Sequence, residues 1–313
     1  MKPIPRIVIA LICAAVFGSA LPARADDKVV RIGFQKYGKL VLLKTKGTLE
    51  AKLKALGFTV SWTEFPSGPP LLEAINAGAI DVGNAGEAPP IFAQAAGVPF
   101  VYVAYEPPAP RGEAILVPRA STVKTVAELK GKTVALNKGS NVHYLLVKAL
   151  EKAGLQYSDI RTVFLAPADA RAAFERGSVD AWVIWDPFQA AAEAATGART
   201  LADGTGIVAN TQFYLGARGF VAANGPVLDA VLSQLREVDS WAKTDIGAVA
   251  TQLSPSIGLP AAVLEVALNR QAYGIKSIDA GAIAEQQKIA DTFVKLGLLP
   301  APIKVSDAVR AGS

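Results

Sequence analysis

The chain has 313 residues, of which 51% are hydrophobic and 19% are charged, with a formal net charge of +5. Cys13 is the only cysteine and His143 the only histidine, which excludes disulfides within the chain and metal sites built from several cysteines or histidines. Lysine and arginine are not clustered, which argues against nucleic acid as a partner. We therefore predict no metal, no other cofactor and no nucleic-acid partner.

The N-terminus has the three-part pattern of a secretory signal peptide. Lys2 and Arg6 precede an uncharged apolar run over 7–17, and small residues stand at 23 and 25. The run is shorter than the about 20 residues that span a bilayer, so a cleaved signal is favoured over a membrane anchor. We predict cleavage after Ala25 and export to the periplasm.

Cleavage would remove Lys2, Arg6 and Arg24 and lower the formal charge from +5 to +2. The 288 residues that remain (313 minus 25) suffice for one large domain or two of ordinary size. No later apolar run is long enough to span a membrane without charges or turn residues, so the mature chain is predicted to be soluble.

Short β-branched runs alternate with helical stretches through the first third of the chain. Glycines such as Gly57 and Gly78 stand where helices are predicted to end. Strict alternation of strand and helix indicates βαβ units with parallel pairing. The predicted strands are 29–34, 59–65, 80–82 and 100–105, and the predicted helices are 40–56, 69–77 and 89–96.

The segment Glu106–Gly112 (EPPAPRG) interrupts this alternation with three prolines in seven residues. Proline cannot continue a helix or a central strand, so we predict a linker that leaves a first lobe. Alternation then resumes, with predicted strands at 114–117, 133–136, 162–164 and 181–184 and predicted helices at 141–153, 168–176 and 187–196.

Two segments in corresponding places of the two halves are similar. Residues 71–83 (LLEAINAGAIDVG) and 170–182 (ARAAFERGSVDAW) each combine a helix, a glycine, a β-branched residue, an aspartate and a strand. The pattern aligns Asp81 with Asp180. The pattern indicates two similar α/β lobes. The alternative is that the two segments share only the residues that commonly end a helix.

The chain is then predicted to return to the first lobe through 213–220 (FYLGARGF). Two crossings between lobes make a hinge, and ligands bind between such lobes at the carboxyl ends of the strands. We expect lobe 1 to comprise 26–107 and 219–313 and lobe 2 to comprise 108–218, with crossings near 106–112 and 209–218. The last predicted helices are 226–243, 246–253, 260–270 and 279–296.

One long segment, Pro167–Phe188 (PADARAAFERGSVDAWVIWDPF), has a specific sequence, and shorter ones accompany it at 31–36, 62–76, 88–97, 101–108 and 138–140. In this order they resemble the periplasmic alkanesulfonate-binding proteins of ABC importers, within the nitrate-, sulfonate- and taurine-binding group. The resemblance implies a two-lobed, type II-like periplasmic binding protein. Each lobe would be a mainly parallel sheet flanked by helices, with the ligand in the interlobe cleft. It also implies an alkanesulfonate ligand and a membrane permease as partner, and we expect a monomer.

A sulfonate carries one negative charge, and a helix N-terminus offers it free N–H groups and a positive dipole end. The turn Gly83–Pro90 is one such start, and it supplies Asn84, Gly86 and Glu87 as candidate ligand-binding residues. An ordinary βα turn is the alternative. The family usually has a small hydroxyl residue and an aspartate near here, so Asn84 and Glu87 leave the substrate open.

A second candidate helix start contains Gly139, Ser140 and His143. Ser140 is predicted to cap the helix that follows. The resemblance implies that this loop and His143 lie at the cleft, where a neutral imidazole can donate one hydrogen bond to a ligand oxygen. A purely structural cap and a core histidine are the alternatives.

A third helix start follows Trp185, whose indole can pack a short alkyl chain while its N–H bonds an oxygen. Asp186 is predicted to cap that helix, or to suit an amine-bearing ligand such as taurine. The resemblance places Gln35 in the cleft, where its amide can donate to an oxygen. Tyr214 and Arg218, on the return crossing, are further candidates.

The leading function is the solute-binding component of an ABC importer that captures aliphatic sulfonates. Taurine, nitrate or another small anion is the alternative ligand, and a periplasmic sensing module shares the same binding step. An enzyme is not expected. The sequence lacks the cysteine-rich stretch of the related pyrimidine-precursor synthase, and it has no Ser-His-Asp spacing and no phosphate loop.

Overall fold

The computed structural model describes residues 28–310, and the predicted signal peptide with its cleavage site lies outside them. Short β-branched and aromatic runs form the strands. In chain order these are β1 (Lys28–Phe34), β2 (Phe58–Glu64), β3 (Val82–Gly86), β4 (Phe100–Tyr105), β5 (Glu113–Val117), β6 (Thr133–Leu136), β7 (Arg161–Phe164), β8 (Ala181–Trp185), β9 (Arg199–Asp203) and β10 (Gln212–Ala217). Of these, β9 was not predicted.

Two five-stranded sheets have the same strand arrangement. The first, which defines the first lobe, has the order β2-β1-β3-β10-β4, and the second, which defines the second lobe, has the order β7-β6-β8-β5-β9. In each sheet the first three strands pair in parallel, and the strand in fourth position pairs antiparallel with both neighbours. Four strands of each sheet therefore share a direction, and only the strand that enters from the other lobe runs against them.

The strand β10 differs from our expectation for 213–220. We predicted a return crossing there, with lobe 2 reaching to 218, whereas 212–217 lies between β3 and β4 in the first sheet. Placement between two strands pairs the backbone groups on both edges of β10, which an isolated extended segment would leave unpaired. The second crossing between the sheets therefore spans 204–211.

Helices cover both sheets. They are α1 (Lys39–Lys46), α2 (Thr48–Lys54), α3 (Gly68–Asn76), α4 (Ala88–Ala95), α5 (Asn141–Lys152), α6 (Pro167–Glu175), α7 (Phe188–Thr196), α8 (Arg218–Ala223), α9 (Gly225–Thr244), α10 (Ile246–Ile257), α11 (Ala261–Leu268) and α12 (Ala280–Lys295). The single helix predicted over 40–56 is divided at Gly47, whose φ of 69° lies in the left-handed region that glycine tolerates.

Within residues 28–310, no single helix is long and apolar enough to cross a membrane. The consecutive helices α10 and α11 meet that criterion only when they are taken together, and they are bent by 118° relative to each other.

The similarity between the two halves has a structural basis. Asp81 accepts a hydrogen bond from the backbone N–H of Arg31 at 2.8 Å, and Asp180 accepts one from that of Thr133 at 2.7 Å. Each aspartate thus stands just before the third strand of its sheet, β3 or β8, and bonds to the neighbouring parallel strand, β1 or β6. This equivalence supports the prediction of two similar lobes.

Apolar side chains form separate cores on the two lobes. One core packs β1 and β4 against α1, α9 and α10, a second lies on the other face under α3, α4 and α12, and a third fills the second lobe around β5, β6 and β8. With each sheet fixed to its own core, the carboxyl ends of β1 and β3 face those of β6 and β8.

Candidate functional site

A small cavity of about 10 Å³ lies where the two lobes meet, which is room for about one water molecule. It lies at the carboxyl ends of β1, β3 and β8. Both lobes contribute to its wall, which is lined by Gln35, Tyr37, Gly68, Gly86, Pro89, Asn141, Trp185 and Gln212. Three of these, Gln35, Gly86 and Trp185, were predicted from the sequence.

The starts of α4 and α5 meet at this cavity. A side chain at Gly86 would place its Cβ only 2.9 Å from the Cβ of Asn141, so glycine is what permits the two helix starts to approach. In α4, Pro89 and Pro90 have no N–H to donate. The first turn of α5 contains no proline, so it offers more free N–H groups to an anion.

Ser140 occupies the predicted N-cap position of α5 but does not cap it with its side chain. Its hydroxyl donates instead to the carbonyl oxygen of Asn137 at 2.7 Å. We predicted that Ser140 caps the helix; its position is the predicted one, but its side chain does not make the capping hydrogen bond. The first N–H groups of α5 receive no side-chain acceptor from their own N-cap residue.

Two buried carboxylates from opposite lobes lie behind the cavity. Glu87 accepts a hydrogen bond from the backbone N–H of Thr211 at 2.8 Å, and Glu113 accepts one from the side-chain amide of Asn141. Each has a second carboxylate oxygen with no hydrogen-bond partner. Asn141 also contacts Asn210 at 3.2 Å.

Burial raises the pKa of Glu87 to about 7, against the opposing hydrogen bond from Thr211. Burial, followed by the nearby charge of Glu87, raises the pKa of Glu113 well above its ordinary value. Both groups therefore retain protons at higher pH than ordinary carboxylates. The negative charge behind the cavity is correspondingly smaller than two carboxylates would give.

Gln35 and Asn84 are connected to each other. The amide nitrogen of Gln35 donates to the carbonyl oxygen of Asn84 at 2.8 Å, and that of Asn84 reaches the carbonyl oxygen of Tyr37 at 3.5 Å. Gln35 therefore lines the cavity with an amide held by β3, whereas the Asn84 side chain lies behind Tyr37 and not among the lining residues.

Asp186 lies one residue before the N-cap of α7, which is Pro187, so the prediction that Asp186 is the N-cap was wrong by one position. The carboxylate of Asp186 accepts from the backbone N–H of Ala190 at 3.1 Å and lies 3.5 Å from Arg270 of the first lobe. Burial raises the pKa of Asp186 to about 7, and the charge of Arg270 opposes this shift. Arg270 also pairs with Glu193 at 2.7 Å, so one arginine links the first lobe to α7 in the second.

His143 is a buried structural side chain. Its Nδ1 accepts from the backbone N–H of Gly139 at 3.3 Å, so Nε2 carries the proton and donates to the Tyr157 hydroxyl at 2.9 Å. Burial lowers the pKa of His143 to about 4, with a smaller contribution from Lys138. Both ring nitrogens are engaged inside the second lobe, which favours the core alternative over a ligand contact. Gly139 does not line the small cavity either.

Arg218 lies away from the cavity because β10 is antiparallel, and Tyr214 does so because its side chain is buried in the core of the first lobe. Tyr214 is fully buried and donates to Glu106 at 2.6 Å. Arg218 follows the opposite end of the strand and donates to the carbonyl oxygen of Asp307 at 2.8 Å. Our prediction that these two residues face the cleft is therefore not supported.

A larger cavity of about 620 Å³ lies on the other side of Glu87, against α12. Its charged lining residues are three acids, Glu87, Asp279 and Glu285, and one base, Lys288. This excess of acidic groups is unfavourable for an anionic ligand. The small cavity at the helix starts is therefore the better candidate for a sulfonate, and its volume of about 10 Å³ would have to widen to admit one.

Comparison with known proteins agrees with this architecture. Residues 23–250, well over half of the chain, match the profile of the NMT1-like family. This chain belongs to the NMT1-like family.

Proteins similar to this chain include binding proteins. The chain is 44% identical to an aliphatic sulfonates-binding protein of Escherichia coli K12 over 93% of this chain and 91% of that protein. The alkanesulfonate-binding protein SsuA of Xanthomonas axonopodis pv. citri, solved with MOPS bound, is 42% identical, with a TM-score of 0.86 over 90% of this chain and 98% of that one. The periplasmic SsuA of Escherichia coli is also 42% identical, with a TM-score of 0.82 over 91% and 93%.

Sequence reasoning missed several members of the site. Gln212 and Glu113 begin the two crossing strands, and both lie at the cleft because those strands run against their neighbours. Asn141 was read only as the first residue of a helix. Tyr37 follows β1 directly after Gln35 and Lys36, so its position next to a predicted site residue was an available signal.

Proposed function

We propose that this member of the NMT1-like family is the soluble solute-binding component of an ABC importer and captures aliphatic sulfonates in the periplasm. The observation that carries the proposal is the cavity between two helix starts, one from each lobe. The relationship to sulfonate-binding proteins at 42–44% identity over nine tenths of the chain supports the same ligand class.

The cavity wall offers donors that a sulfonate requires. A sulfonate has only acceptor oxygens, and Gln35 and Gln212 bring amides, Tyr37 a hydroxyl and Trp185 an indole N–H. The side-chain amide of Asn141 already donates to Glu113 and Asn210, so Asn141 offers its backbone N–H at the start of α5. None of the residues that line this cavity is a lysine or an arginine. We infer that the negative charge of the sulfonate is stabilised by hydrogen bonds from these uncharged donors and from the free N–H groups in the first turn of α5, as in other anion sites at helix N-termini.

Hinge closure is the proposed working motion. Gln35 and Gln212 belong to the first lobe and Asn141 and Trp185 to the second, so a ligand held by all four favours the closed form. Bending would be absorbed in the two crossings, 106–112 and 204–211. The closed monomer would then be recognised by the membrane permease.

Calorimetric titration of the ligand-stripped protein tests this function. We expect one-to-one binding of ethanesulfonate and butanesulfonate, and Trp185→Ala should weaken both by roughly tenfold because it removes an aromatic face and an N–H donor. Trp241→Ala, on the distant helix α9, is the matched control and should bind like the wild type.

Other outcomes separate the alternatives. If the protein bound nitrate or sulfate but no alkanesulfonate, the proposed ligand class would be overturned. If it bound none of the anions, the proposed function would be overturned. Deletion of the gene should abolish growth on ethanesulfonate as the sole sulfur source. Normal uptake in that strain, with lost gene induction, would instead identify a sensing module.

A further inference from the structure

The larger cavity beside Glu87 lies at the hinge. Its wall combines both crossings, through Pro108, 206–209 and Thr211, with α12 of the first lobe and Tyr144 of α5 in the second. No residue that lines it also lines the small cavity at the helix starts. Its volume of about 620 Å³ lies within the range of small-molecule sites, about 300–1,000 Å³. We call it the hinge cavity.

The inner wall of the hinge cavity is largely aromatic and aliphatic. Tyr105, Tyr144, Phe213 and Ile289 are buried and line it, and Val208 is half-buried. Such side chains gain free energy when they cover an apolar body, and aromatic rings also attract a cation that lies over their faces.

The acids on the rim already have partners. Glu285 pairs with Lys288 on the exposed surface of α12. Asp279 accepts from the backbone N–H of Ala282 at 2.8 Å and from the Tyr105 hydroxyl at 2.6 Å. The acid at the inner end, Glu87, is therefore the one whose environment a ligand can change most.

Glu87 brings an unpaired acceptor to the hinge cavity. Its side chain is almost fully buried, and it lines this cavity but not the small one. Its Oε2 accepts from the backbone N–H of Thr211, whereas its Oε1 has no hydrogen-bond partner among residues 28–310. Because a buried carboxylate oxygen without a donor costs free energy, a ligand that donates an N–H group to it or brings a positive charge near it gains affinity.

We propose that the hinge cavity is a second ligand site, which takes an organic cation made of an ammonium group on an apolar or aromatic body, and that its occupant favours the closed arrangement of the lobes. The ammonium group lies at Glu87, and the body packs against Tyr105, Tyr144 and Phe213. An occupant contacts both lobes and both crossings, so it strengthens sulfonate binding at the small cavity. This last effect rests on the proposed function, whereas the site itself does not.

Two probes with the same phenylethyl body and opposite charge test the site. Phenethylamine, as its ammonium ion, and hydrocinnamate are titrated calorimetrically at pH 8, where Glu87 is mostly ionised because burial raises its pKa only to about 7. We expect the amine to bind at one site at least tenfold more tightly than the carboxylate, because the acids attract the first and repel the second. Equal affinities, or no binding of the amine, would overturn the site.

Three variants locate the amine. Ala282 lines the hinge cavity, whereas Ala284, also near the start of α12, is exposed and does not line it. Ala282→Trp should fill the cavity and lower the amine affinity at least tenfold, and Ala284→Trp should bind the amine like the wild type. Glu87→Gln should lower the affinity roughly three- to tenfold, since it removes the charge. Full amine affinity in Ala282→Trp or in Glu87→Gln would overturn the proposal.

A second titration measures the effect on closure. Butanesulfonate is titrated with and without saturating phenethylamine, and we expect its affinity to rise two- to tenfold with the amine. Small-angle scattering without sulfonate should show a smaller radius of gyration when the amine is bound. If the amine changed neither quantity, the effect on closure would be overturned. If no sulfonate bound, the proposed function would be overturned, and the first titration and the scattering would still decide the amine site and its effect.

Discussion

Glu87 is a buried, ionisable side chain that lies where the two lobes meet. It begins α4 in the first lobe, accepts a hydrogen bond from Thr211 in the second crossing, and lies close enough to Glu113 of the second lobe to raise its pKa. Burying a carboxylate costs free energy unless it is paired or protonated. The folded, closed molecule therefore holds protons that the solvated carboxylate would release.

This side chain predicts a pH dependence of stability. Burial raises the pKa of Glu87 from 4.5 to about 7. A group with a raised pKa in the folded state stabilises it fully below about pH 4.5, and this stabilisation is lost as the pH rises to about 7. We expect Glu87→Gln to remove a decline on the order of 3 kcal/mol between those limits, since glutamine retains an acceptor for Thr211 but does not ionise.

Urea unfolding of both proteins at pH 4.5, 5.5, 6.5 and 7.5 measures this difference. Asp186 adds a decline of the same sign, whereas His143, whose pKa burial lowers, adds a rise between about pH 4 and 6.5. These two contributions are common to both proteins and cancel in the comparison. Glu113 does not cancel, because the charge of Glu87 helps to raise its pKa, so the measured difference reports Glu87 together with its effect on Glu113. Parallel stability curves for wild type and variant would contradict the assignment to Glu87.

Both sheets contain the same turn, in which an aspartate precedes the third strand, β3 or β8. Asp81 and Asp180 each accept from a backbone N–H of the neighbouring parallel strand, β1 or β6, but of the two only Asp81 also pairs with a side chain, that of Arg31 at 2.6 Å. Arg31 is 43% exposed, so solvent screens that pair and the backbone hydrogen bond is the larger contribution.

We therefore expect similar losses from the two substitutions. Asp180→Ala and Asp81→Ala should each lower the free energy of unfolding by ~1–3 kcal/mol, because a strand N–H loses a charged acceptor. Asp169→Ala, at an exposed position of α6, is the control and should change it by less than ~0.5 kcal/mol. A loss confined to Asp81 would show that the ion pair, and not the shared turn, matters.

Local patterns explain which elements were predictable. Most strands and helices up to Tyr105, and the turn shared by Asp81 and Asp180, follow from periodicity and helix-ending glycines within short windows. Two predictions there were wrong, since the helix over 40–56 is divided at Gly47 and the strand expected at 80–82 lies at 82–86. The position and direction of β10 depend on β3 and β4, more than 100 residues earlier, and no local pattern encodes that pairing.

The difference between local patterns and long-range strand pairing also explains which site residues were predicted and which were missed. Gln35, Gly86 and Trp185 directly follow or end parallel strands, so the strand-to-helix rule located them. Gln212 reaches the cavity only because β10 is antiparallel, and the same reversal carries Arg218 to the far edge.

At the scale of the whole molecule, the two lobes are joined by few charged contacts. Arg270, just after α11 in the first lobe, reaches both Glu193 at 2.7 Å and Asp186 at 3.5 Å in the second. The arginine side chain is only 20% exposed, so these pairs are less screened than surface pairs. They link the two lobes in the arrangement of this structure, and the proposed hinge opening would separate them.

Loss of this contact should weaken ligand binding without touching the cavity. Arg270→Gln is expected to raise the dissociation constant for butanesulfonate roughly three- to tenfold, because a smaller fraction of the free protein is closed. Small-angle scattering of the free variant should show a larger radius of gyration. Arg236→Gln, exposed on α9, is the control, and equal affinity of both variants would contradict the role of Arg270.

The return of β10 to the first sheet also allows an order of assembly. All five strands of the second sheet come from one uninterrupted stretch, 113–203, whereas the first sheet needs residues as far apart as 28 and 217. A chain that emerges from its N-terminus can therefore complete its second lobe first. The first sheet lacks β10, the strand between β3 and β4, until about two thirds of the described chain has emerged.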